Sequence, residues 1–328
     1  MSYDDIKQTF LNVNGIVLIV ALVGLTIFFS LTSPYFFTLI NWRVIFESMS
    51  LLAILAIGTH LLLVAGEIDI SFTSVLELSA ITAALLTPSN AFLIILVSML
   101  AAIAVGLVNG FLTVKVGIPS FLTTLSTWVG VQGIVYLISN YRSVVLRDNL
   151  LPEIFYGRFF GGIASSVFWM IGFFVLAGLI LRYAKFGRWV YATGGNERAA
   201  RLMGIPTKAV KFRLFIASAA LAGVVGLIIA SRSVAARPGM GTNYLMPAIA
   251  APILGGALLT GGRGSIMRTA LGCLVLTVII NGVNLLGLDP ANQNIFMGVI
   301  LVLALSVRSL KKEDKQISFK RILKFFKR

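Results

Sequence analysis

Three carboxylates in a largely apolar region are the residues of this chain whose types and spacing could carry chemistry. Glu67, Asp69 and Glu77 fall within Ala65–Glu77, which reads AGEIDISFTSVLE. Carboxylates at membrane depth are costly, and they persist where they pair, line a watery cavity or carry protons. They therefore indicate a transport pathway or a proton relay, the alternative being a loop at the membrane surface.

The same stretch carries signals that interrupt a helix. Gly66 can take the left-handed conformation that ends one helix. The next helix can be capped by Asp69, Ser71 or Ser74. Ser74 followed by Glu77 fits a capping box, in which the glutamate reaches back to the amide of the cap residue. Non-helical backbone inside a membrane survives only when buried in protein or lining a watery cavity, so a broken or re-entrant segment is predicted.

The sequence lacks the residues that an enzyme active site or a metal site would need. His60 is the only histidine and Cys273 the only cysteine, so the sequence has no metal-ligand set and no nucleophile beside an evident base. We expect His60 to form a hydrogen bond in packed protein rather than to relay protons, and Cys273 to pack in the core. The sequence has no phosphate-binding loop with its lysine, which predicts that this chain binds neither ATP nor Mg²⁺.

Composition indicates the class of protein. Apolar residues make up 58% and charged residues 12% of the chain, against about 25% charged in a soluble domain. Apolar segments near the roughly 20 residues needed to cross a bilayer recur along its length, so we expect one all-α transmembrane domain over residues 1–328. The spans predicted, about ten with some broken or re-entrant, are 13–31, 44–65, 75–86, 91–113, 118–140, 163–181, 214–230, 245–260, 266–286 and 295–307.

The net charge of +15 is concentrated in two segments. Residues 182–213 hold eight Lys or Arg and one acid, and residues 308–328 hold nine and two acids. Basic residues beside spans are retained in the cytoplasm, which explains the charge better than a nucleic-acid surface does. The basic tail 308–328 is either disordered or lies on anionic membrane lipid through Ile317–Arg328, a candidate amphipathic helix.

Ten crossings would place both chain termini on the same side of the membrane, and the positive-inside rule makes that side the cytoplasm. A multi-pass protein of a cytoplasmic membrane is therefore predicted. The same count assigns the loops: inside lie Lys115, 182–213 and Arg263–Arg268, and outside lie 141–160, 231–244 and 287–294.

Residues 187–213 form a basic loop between two long apolar segments, and within it a short helix has clear ends. Asn196 can cap the first turn, where Glu197 also suits the positive end of the helix dipole. Gly204 suits the left-handed position after the last turn, and Pro206 blocks continuation. A helix of about two turns is not stable alone in water, so we expect it to dock into a partner rather than form a solvated loop. Its apolar side chains are those of Ala199, Ala200, Leu202 and Met203.

A second interruption runs over Pro247–Gly264, which reads PAIAAPILGGALLTGGRG. Its small residues permit the close approach of helices, and its paired glycines permit sharp backbone turns. The glycines to which we assign structural roles are Gly66, Gly255, Gly256, Gly261, Gly262 and Gly264.

Three stretches occur in an order and spacing typical of one family. Gly66–Ser74 resembles G-G-I-D-L-S-x-G-S, and Gly194–Ile205 (GGNERAARLMGI) resembles G-x-N-x-x-A-A-x-x-x-G-I. Ala248–Gly264 resembles I-A-A-x-x-L-G-G-x-x-x-x-G-G-x-G. The family is that of the membrane permease subunits of bacterial ABC sugar importers, which includes the ribose, xylose and autoinducer-2 permeases, and the similarity covers about residues 45–305.

The resemblance implies an importer of the bacterial inner membrane, in which two permease chains, identical or not, form the pathway. Two cytoplasmic ATPase subunits, which bind ATP and Mg²⁺, would each receive the short helix, and an extracytoplasmic solute-binding protein would deliver the substrate. The coupling residues it implies are Gly195, Asn196, Glu197, Arg198, Ala199, Ala200, Arg201, Met203, Gly204 and Ile205. The pathway residues we expect are Glu67, Asp69, Ser71, Asn109, Asn281 and Asn284.

The substrate stays open because the motifs depart from the family pattern. Glu67 and Thr73 stand where glycines are common, and Pro252 replaces an aliphatic residue. The expectation is therefore a ribose-like or other monosaccharide. The alternative from another class is a proton-coupled secondary transporter that uses Glu67, Asp69 and Glu77. The capped helix favours the importer, since a self-sufficient transporter has less need of a docking element.

Overall fold

Helices provide most of the regular structure in a computed structural model of the chain, which describes residues 13–87, 90–147 and 150–287 together with Ile295 and Gly298. The helices are α1 (Val13–Thr32), α2 (Leu39–Val64), α3 (Phe72–Leu85), α4 (Ala91–Phe111), α5 (Ser120–Ser139), α6 (Leu150–Tyr156), α7 (Ser165–Tyr183), α8 (Lys185–Gly195), α9 (Glu197–Leu202), α10 (Thr207–Ser233), α11 (Leu245–Leu254) and α12 (Ile266–Leu285). Apart from those two single residues, the predicted span 295–307 and the basic tail 308–328 lie outside the described residues, as do residues 288–294.

Among the described residues, seven helices are long and apolar enough to cross a bilayer: α1, α2, α4 with the π-helical turn Leu112–Val116 that continues it, α5, α7, α10 and α12. An all-α, multi-pass membrane protein is thereby confirmed, while ten crossings stay a prediction. The helices α3 and α11 have 14 and 10 residues. They are about 21 and 15 Å long, so neither alone crosses the roughly 30 Å hydrocarbon core.

The predicted span 245–260 is helical only in its first half, and the backbone turns predicted at the paired glycines of Pro247–Gly264 are confirmed. Helix α11 ends at Leu254, and residues 255–265 are non-helical. The backbone turns at Gly256, Gly261 and Gly262, which have φ of +94°, +85° and +77°. These left-handed conformations suit glycine and stop an apolar helix that composition alone would continue.

The centre of the bundle is formed by α2, α3 and α10. Of the spanning parts of α2 and α10, 89% and 72% are buried, against 17% for α1 and 22% for α4 and α5. Helix α2 is apolar around most of its circumference, which is typical of a helix enclosed by others. The exposed apolar faces of α1, α4 and α5 are those expected to meet lipid.

Small residues allow α10 to approach its neighbours closely. A β-carbon at Gly223 would lie 2.8 Å from the β-carbon of Ala102 on α4, and one at Gly226 would lie 2.8 Å from that of Ser79 on α3. The Ser79 hydroxyl donates to the Gly223 carbonyl at 2.8 Å. Such contacts replace the hydrophobic driving force that is lacking between helices in lipid.

Two small antiparallel strand pairs lie in the described part of the chain. β1 (Val144–Val145) and β4 (Ala235–Ala236) form one pair, and β2 (Arg158–Phe159) and β3 (Ile163–Ala164) form the other. The first pair joins the loop after α5 to the loop after α10, both of which the charge pattern places on one side.

The end of the bundle that carries α8, α9 and the 261–268 turn is called the basic end below. It includes the last turn of α2, because the Gly262 amide donates to the Val64 carbonyl at 2.8 Å. The strand pairs and α6 lie at the opposite end. The grouping of loops agrees with the predicted topology, while the end that faces the cytoplasm stays a prediction.

Candidate functional site

Helix α9 begins and ends as its sequence predicts. The Asn196 side chain accepts a hydrogen bond from the Ala199 amide at 3.0 Å, which satisfies a donor of the first turn. Gly204 has a φ of +77°, and the Ile205 amide donates to the Ala200 carbonyl at 3.0 Å. This is the Schellman arrangement, in which a left-handed glycine closes a helix. The predicted cap and stop are confirmed.

The exposed face of α9 consists of Arg198, Ala199, Arg201, Leu202 and the adjoining Met203. Leu202 and Met203 are each 83% exposed, and they lie outside the candidate membrane spans, where lipid would not cover such large apolar side chains. Ala200 is only 5% exposed. The expectation that Ala200 belongs to the docking surface is therefore wrong, because this side chain faces the interior of its own chain.

Sequence reasoning missed helix α8, which directly precedes α9 in the chain and holds it in place. Its buried residues are Gly187, Val190 and Thr193, three residues apart, which is the spacing of one helix face. Lys185 lies over the Trp189 ring at 5.1 Å. The periodicity of the buried face was the signal in the sequence, but the polar composition indicated a loop.

Four glycines from three separate stretches meet where α8 ends, and we call this contact the glycine junction: Gly66, Gly194, Gly261 and Gly262. A β-carbon at Gly261 would lie 2.7 Å from the Gly194 carbonyl oxygen and 2.9 Å from the Gly66 α-carbon. Real β-carbons do not approach backbone this closely, so only glycine fits. The junction fixes α8, and with it α9, against the last turn of α2.

The other predicted structural glycines surround this junction. A β-carbon at Gly264 would lie 2.8 Å from the His60 ring, and one at Gly255 would lie 2.7 Å from the Arg268 backbone. The Tyr191 hydroxyl donates to the Gly264 carbonyl at 3.1 Å. Close backbone packing thus accounts for Gly255 and Gly264, while Gly256 takes a left-handed turn with φ of +94°.

The interruption after α2 is a tight turn at residues 66–70. The Glu67 amide donates to the Leu62 carbonyl at 2.9 Å, which closes α2 at Gly66 as predicted. The buried Asp69 carboxylate accepts hydrogen bonds from the Ser71 hydroxyl at 2.6 Å and the Ser218 hydroxyl at 3.0 Å. A buried carboxylate needs such donors to offset its desolvation.

Asn109 completes this buried polar cluster, since its side-chain amide donates to the Ser71 hydroxyl at 2.8 Å. The structure thus brings together three of the predicted pathway residues: Asp69, Ser71 and Asn109. Ser218 on α10 was missed, because a lone serine in a long apolar helix carries no sequence signal. The cluster ties the start of α3 to α4 and α10.

Lys211 joins the turn to α9. Its ammonium lies 2.6 Å from the Glu67 carboxylate and 2.7 Å from that of Glu197. Arg201 also pairs with Glu197, and its Nε donates to the Thr207 hydroxyl at 2.9 Å. Burial acts to raise the pKa of the Glu197 carboxyl, yet the hydrogen bonds and charges of Lys211 and Arg201 outweigh it and lower that pKa below its ordinary value.

Known proteins resemble the chain over the region that contains all these elements. A family model described as the permease component of branched-chain amino acid transport systems matches residues 43–305. The ribose import permease protein RbsC of Escherichia coli (strain K12) is 33% identical over 302 residues, which cover 90% of this chain and 93% of RbsC. The chain belongs to the family of ABC sugar-importer permeases.

Two further relatives support this assignment. The L-arabinose transport system permease protein AraH of Escherichia coli (strain K12) is 31% identical over 291 residues, which cover 86% of this chain and 87% of AraH. The probable ABC transporter permease protein YphD of the same strain is 34% identical over 295 residues, 89% of each chain. No solved structure matches the permease.

Glu77 has a different role in the permease from the one its spacing predicts. The Ser71 side chain makes no cap bond, and the Ser74 hydroxyl donates to the Ser71 carbonyl at 2.8 Å. The Glu77 carboxylate instead accepts the amides of Gly239 at 3.0 Å and Gly241 at 2.9 Å. The predicted capping box is wrong. Glu77 tethers the loop that follows α10.

The two other predicted pathway residues lie apart from the buried cluster. Asn281 exchanges two side-chain hydrogen bonds with Asn41, at 2.9 and 3.0 Å, near the start of α2. Asn284 is exposed. The permease therefore does not gather the whole predicted set into one site.

The lone histidine and cysteine are both in the core. His60 Nδ1 lies 2.8 Å from the Thr269 hydroxyl, in agreement with a packed, hydrogen-bonded side chain. Cys273 is buried. Among the described residues, no three or more His, Cys, Asp or Glu side chains are grouped as metal ligands.

Another buried carboxylate, which sequence reasoning missed, anchors the opposite end. Glu47 on α2 is 4% exposed; it pairs with Arg158 at 3.1 Å and accepts a hydrogen bond from the Tyr156 hydroxyl. Arg158 also donates to the Gly162 carbonyl at 2.8 Å. These contacts hold α6 and the β2–β3 pair against the start of α2.

Proposed function

We propose that the permease forms the translocation pathway of an ATP-driven importer and that α9 is the element on which a partner ATPase acts. The observation that carries this is the exposed face of α9, with Leu202 and Met203 each 83% exposed on a helix whose two ends are capped. The glycine junction holds α8 and α9 against the last turn of α2. A force applied to α9 would therefore reach the membrane core.

Two permease chains, identical or not, would line the pathway, with ATP and Mg²⁺ bound by the ATPase subunits. The exposed Arg198 is available to an acidic group of the ATPase. Arg201, another of the predicted coupling residues, is occupied within the chain by Glu197 and Thr207. Arg198 is therefore the stronger candidate for contact with the partner.

The proposed substrate is a monosaccharide, delivered by an extracytoplasmic solute-binding protein to the opposite end of the bundle. This rests on the relatives, which are named for ribose and L-arabinose, both five-carbon sugars. The family model is described by branched-chain amino acid transport, so membership alone does not choose the substrate. A pentose is the substrate that these relatives favour.

We expect both termini and the basic end to face the cytoplasm. Lys208 is exposed at the basic end and Tyr141 is 77% exposed at the opposite end, while the native Cys273 is buried. Lys208→Cys should react with an impermeant thiol reagent only from the cytoplasmic side, and Tyr141→Cys only from outside. Labelling of both from one face would overturn this topology.

The alternative, a proton-coupled transporter, requires carboxylates that pass protons along a path. The three candidates are instead engaged separately. Glu67 pairs with Lys211, Asp69 binds serine hydroxyls, and Glu77 accepts amides of the 239–241 loop. None of these contacts joins one carboxylate to the next, which favours the importer.

Uptake of labelled ribose and arabinose by proteoliposomes that contain the permease, its ATPase and its binding protein tests the proposal. We expect accumulation to require hydrolysable ATP and to continue when a protonophore collapses the proton gradient. A non-hydrolysable ATP analogue should stop it. Accumulation that ends with the gradient while ATP is constant would support the proton-coupled alternative and sink this proposal.

A further inference from the structure

The turn at residues 66–70 is connected to three membrane helices. The Ser120 hydroxyl of α5 accepts the Ile68 amide at 3.2 Å, and Ser218 of α10 donates to Asp69 at 3.0 Å. Asn109 of α4 reaches the same cluster through Ser71. A displacement of this turn would therefore be felt by α4, α5 and α10 together.

One ammonium links this turn to α9. Lys211 Nζ lies 2.6 Å from Glu67 in the turn and 2.7 Å from Glu197, the first residue of α9. The other ion pairs among the described residues join Arg158 to Glu47 at the opposite end and Arg201 to Glu197 within α9. Within the described chain, the ionic connection between α9 and the turn thus runs through Lys211.

The connection is less exposed to water than an ordinary surface ion pair. The side chains of Lys211 and Glu67 are only 14% and 11% exposed, so water screens their attraction less than it does at a surface. The shared ammonium also separates two like charges. Without it, the carboxylates of Glu67 and Glu197 would repel each other and push α9 away from the turn.

We infer that Lys211 is a positioning residue that transmits movement of α9 to the turn at residues 66–70. This rests on the proposed docking of an ATPase at α9. The ammonium of Lys211 binds Glu67 and Glu197, which belong neither to the exposed face of α9 nor to the buried Asp69 cluster. Its expected contribution is to the coupling between ATP hydrolysis and transport, and not to partner binding.

Lys211→Met tests the inference in proteoliposomes that contain the whole importer. Methionine keeps an unbranched side chain that is one atom shorter, and it removes the charge. We expect sugar accumulated per ATP hydrolysed to fall about tenfold, within the roughly 5- to 150-fold that coupling between sites spans. Lys211→Arg should restore most of the ratio. Lys208→Met is the matched control, because Lys208 is an exposed lysine on the same helix, and its ratio should equal that of the wild type.

A purely structural role would lower uptake and ATP hydrolysis together and leave the ratio unchanged, and that result would overturn the inference. If Lys211→Met does not assemble, Glu67→Ala decides, because it removes the carboxylate that binds Lys211 in the turn and keeps the pair of Lys211 with Glu197. A wild-type ratio in Glu67→Ala would also refute the inference. Failure of the wild-type importer to accumulate sugar with ATP would refute the proposed function instead.

Discussion

Gly194→Ala is expected to prevent most of the permease from folding, so that the membrane contains much less folded protein than with the wild type. A β-carbon at this position would lie 2.7 Å from the Gly262 amide nitrogen and closer still to the Val64 carbonyl oxygen. Both are backbone atoms, so no side chain can rotate away. Overpacking of cores costs about 1–3 kcal/mol, and a clash with two backbone segments should exceed that range.

The neighbouring glycine supplies a matched control. A β-carbon at Gly195 would meet nothing within 4 Å, and Gly195 is the last residue of α8. Gly195→Ala should therefore change stability by less than about 1 kcal/mol, the usual difference between these residues in a helix. The two variants are compared by the yield of monodisperse protein after detergent extraction, measured by size-exclusion chromatography. Equal yields of both variants would show that the glycine junction does not hold α8 in place.

Local signals predicted the ends of helices well. The Asn196 cap, the Gly204 stop and the Gly66 stop all appear as expected, because each depends on hydrogen bonds between residues a few positions apart. Such contacts are encoded in short stretches of sequence. The same locality explains why the short helix α9 could be placed almost to the residue.

Contacts between distant residues could not be predicted in this way. Ser74 and Glu77 have the spacing of a capping box, but Glu77 binds amides at Gly239 and Gly241, more than 160 residues away. Ala199, Ala200, Leu202 and Met203 are all apolar in the sequence, yet only Ala200 faces the chain interior. In both cases tertiary packing overrides a local preference, and a single sequence does not reveal it.

The sequence predicted several polar residues of the candidate site, but it did not predict the contacts that connect the site to α9. Asp69, Ser71 and Asn109 were all expected to be functional, and the structure brings them into one buried cluster. The lysine that connects α9 to the neighbouring turn was counted only as part of a basic loop. Charge counts locate a loop relative to the membrane, but they do not show which ammonium lies between two carboxylates.

Leu202→Asp is expected to lower ATP-driven uptake more than about a hundredfold while the amount of folded permease stays unchanged. Leu202 is 83% exposed, so the substitution removes little packing within the chain. In the proposed complex the new carboxylate would be buried against the ATPase without a partner. Such burial costs several kcal/mol, and each 1.4 kcal/mol is about tenfold in affinity.

Co-purification of the ATPase with tagged permease measures docking separately from uptake. Two further substitutions serve as controls for Leu202→Asp. Leu202→Met keeps an apolar side chain of similar volume and should retain the ATPase. Ala200→Asp places a carboxylate at a site that is 5% exposed, so it should reduce the yield of folded permease itself. Loss of the ATPase from well-folded Leu202→Asp is the result that docking at α9 requires. If Leu202→Asp retains the ATPase and transports normally, the partner acts on another surface of the permease.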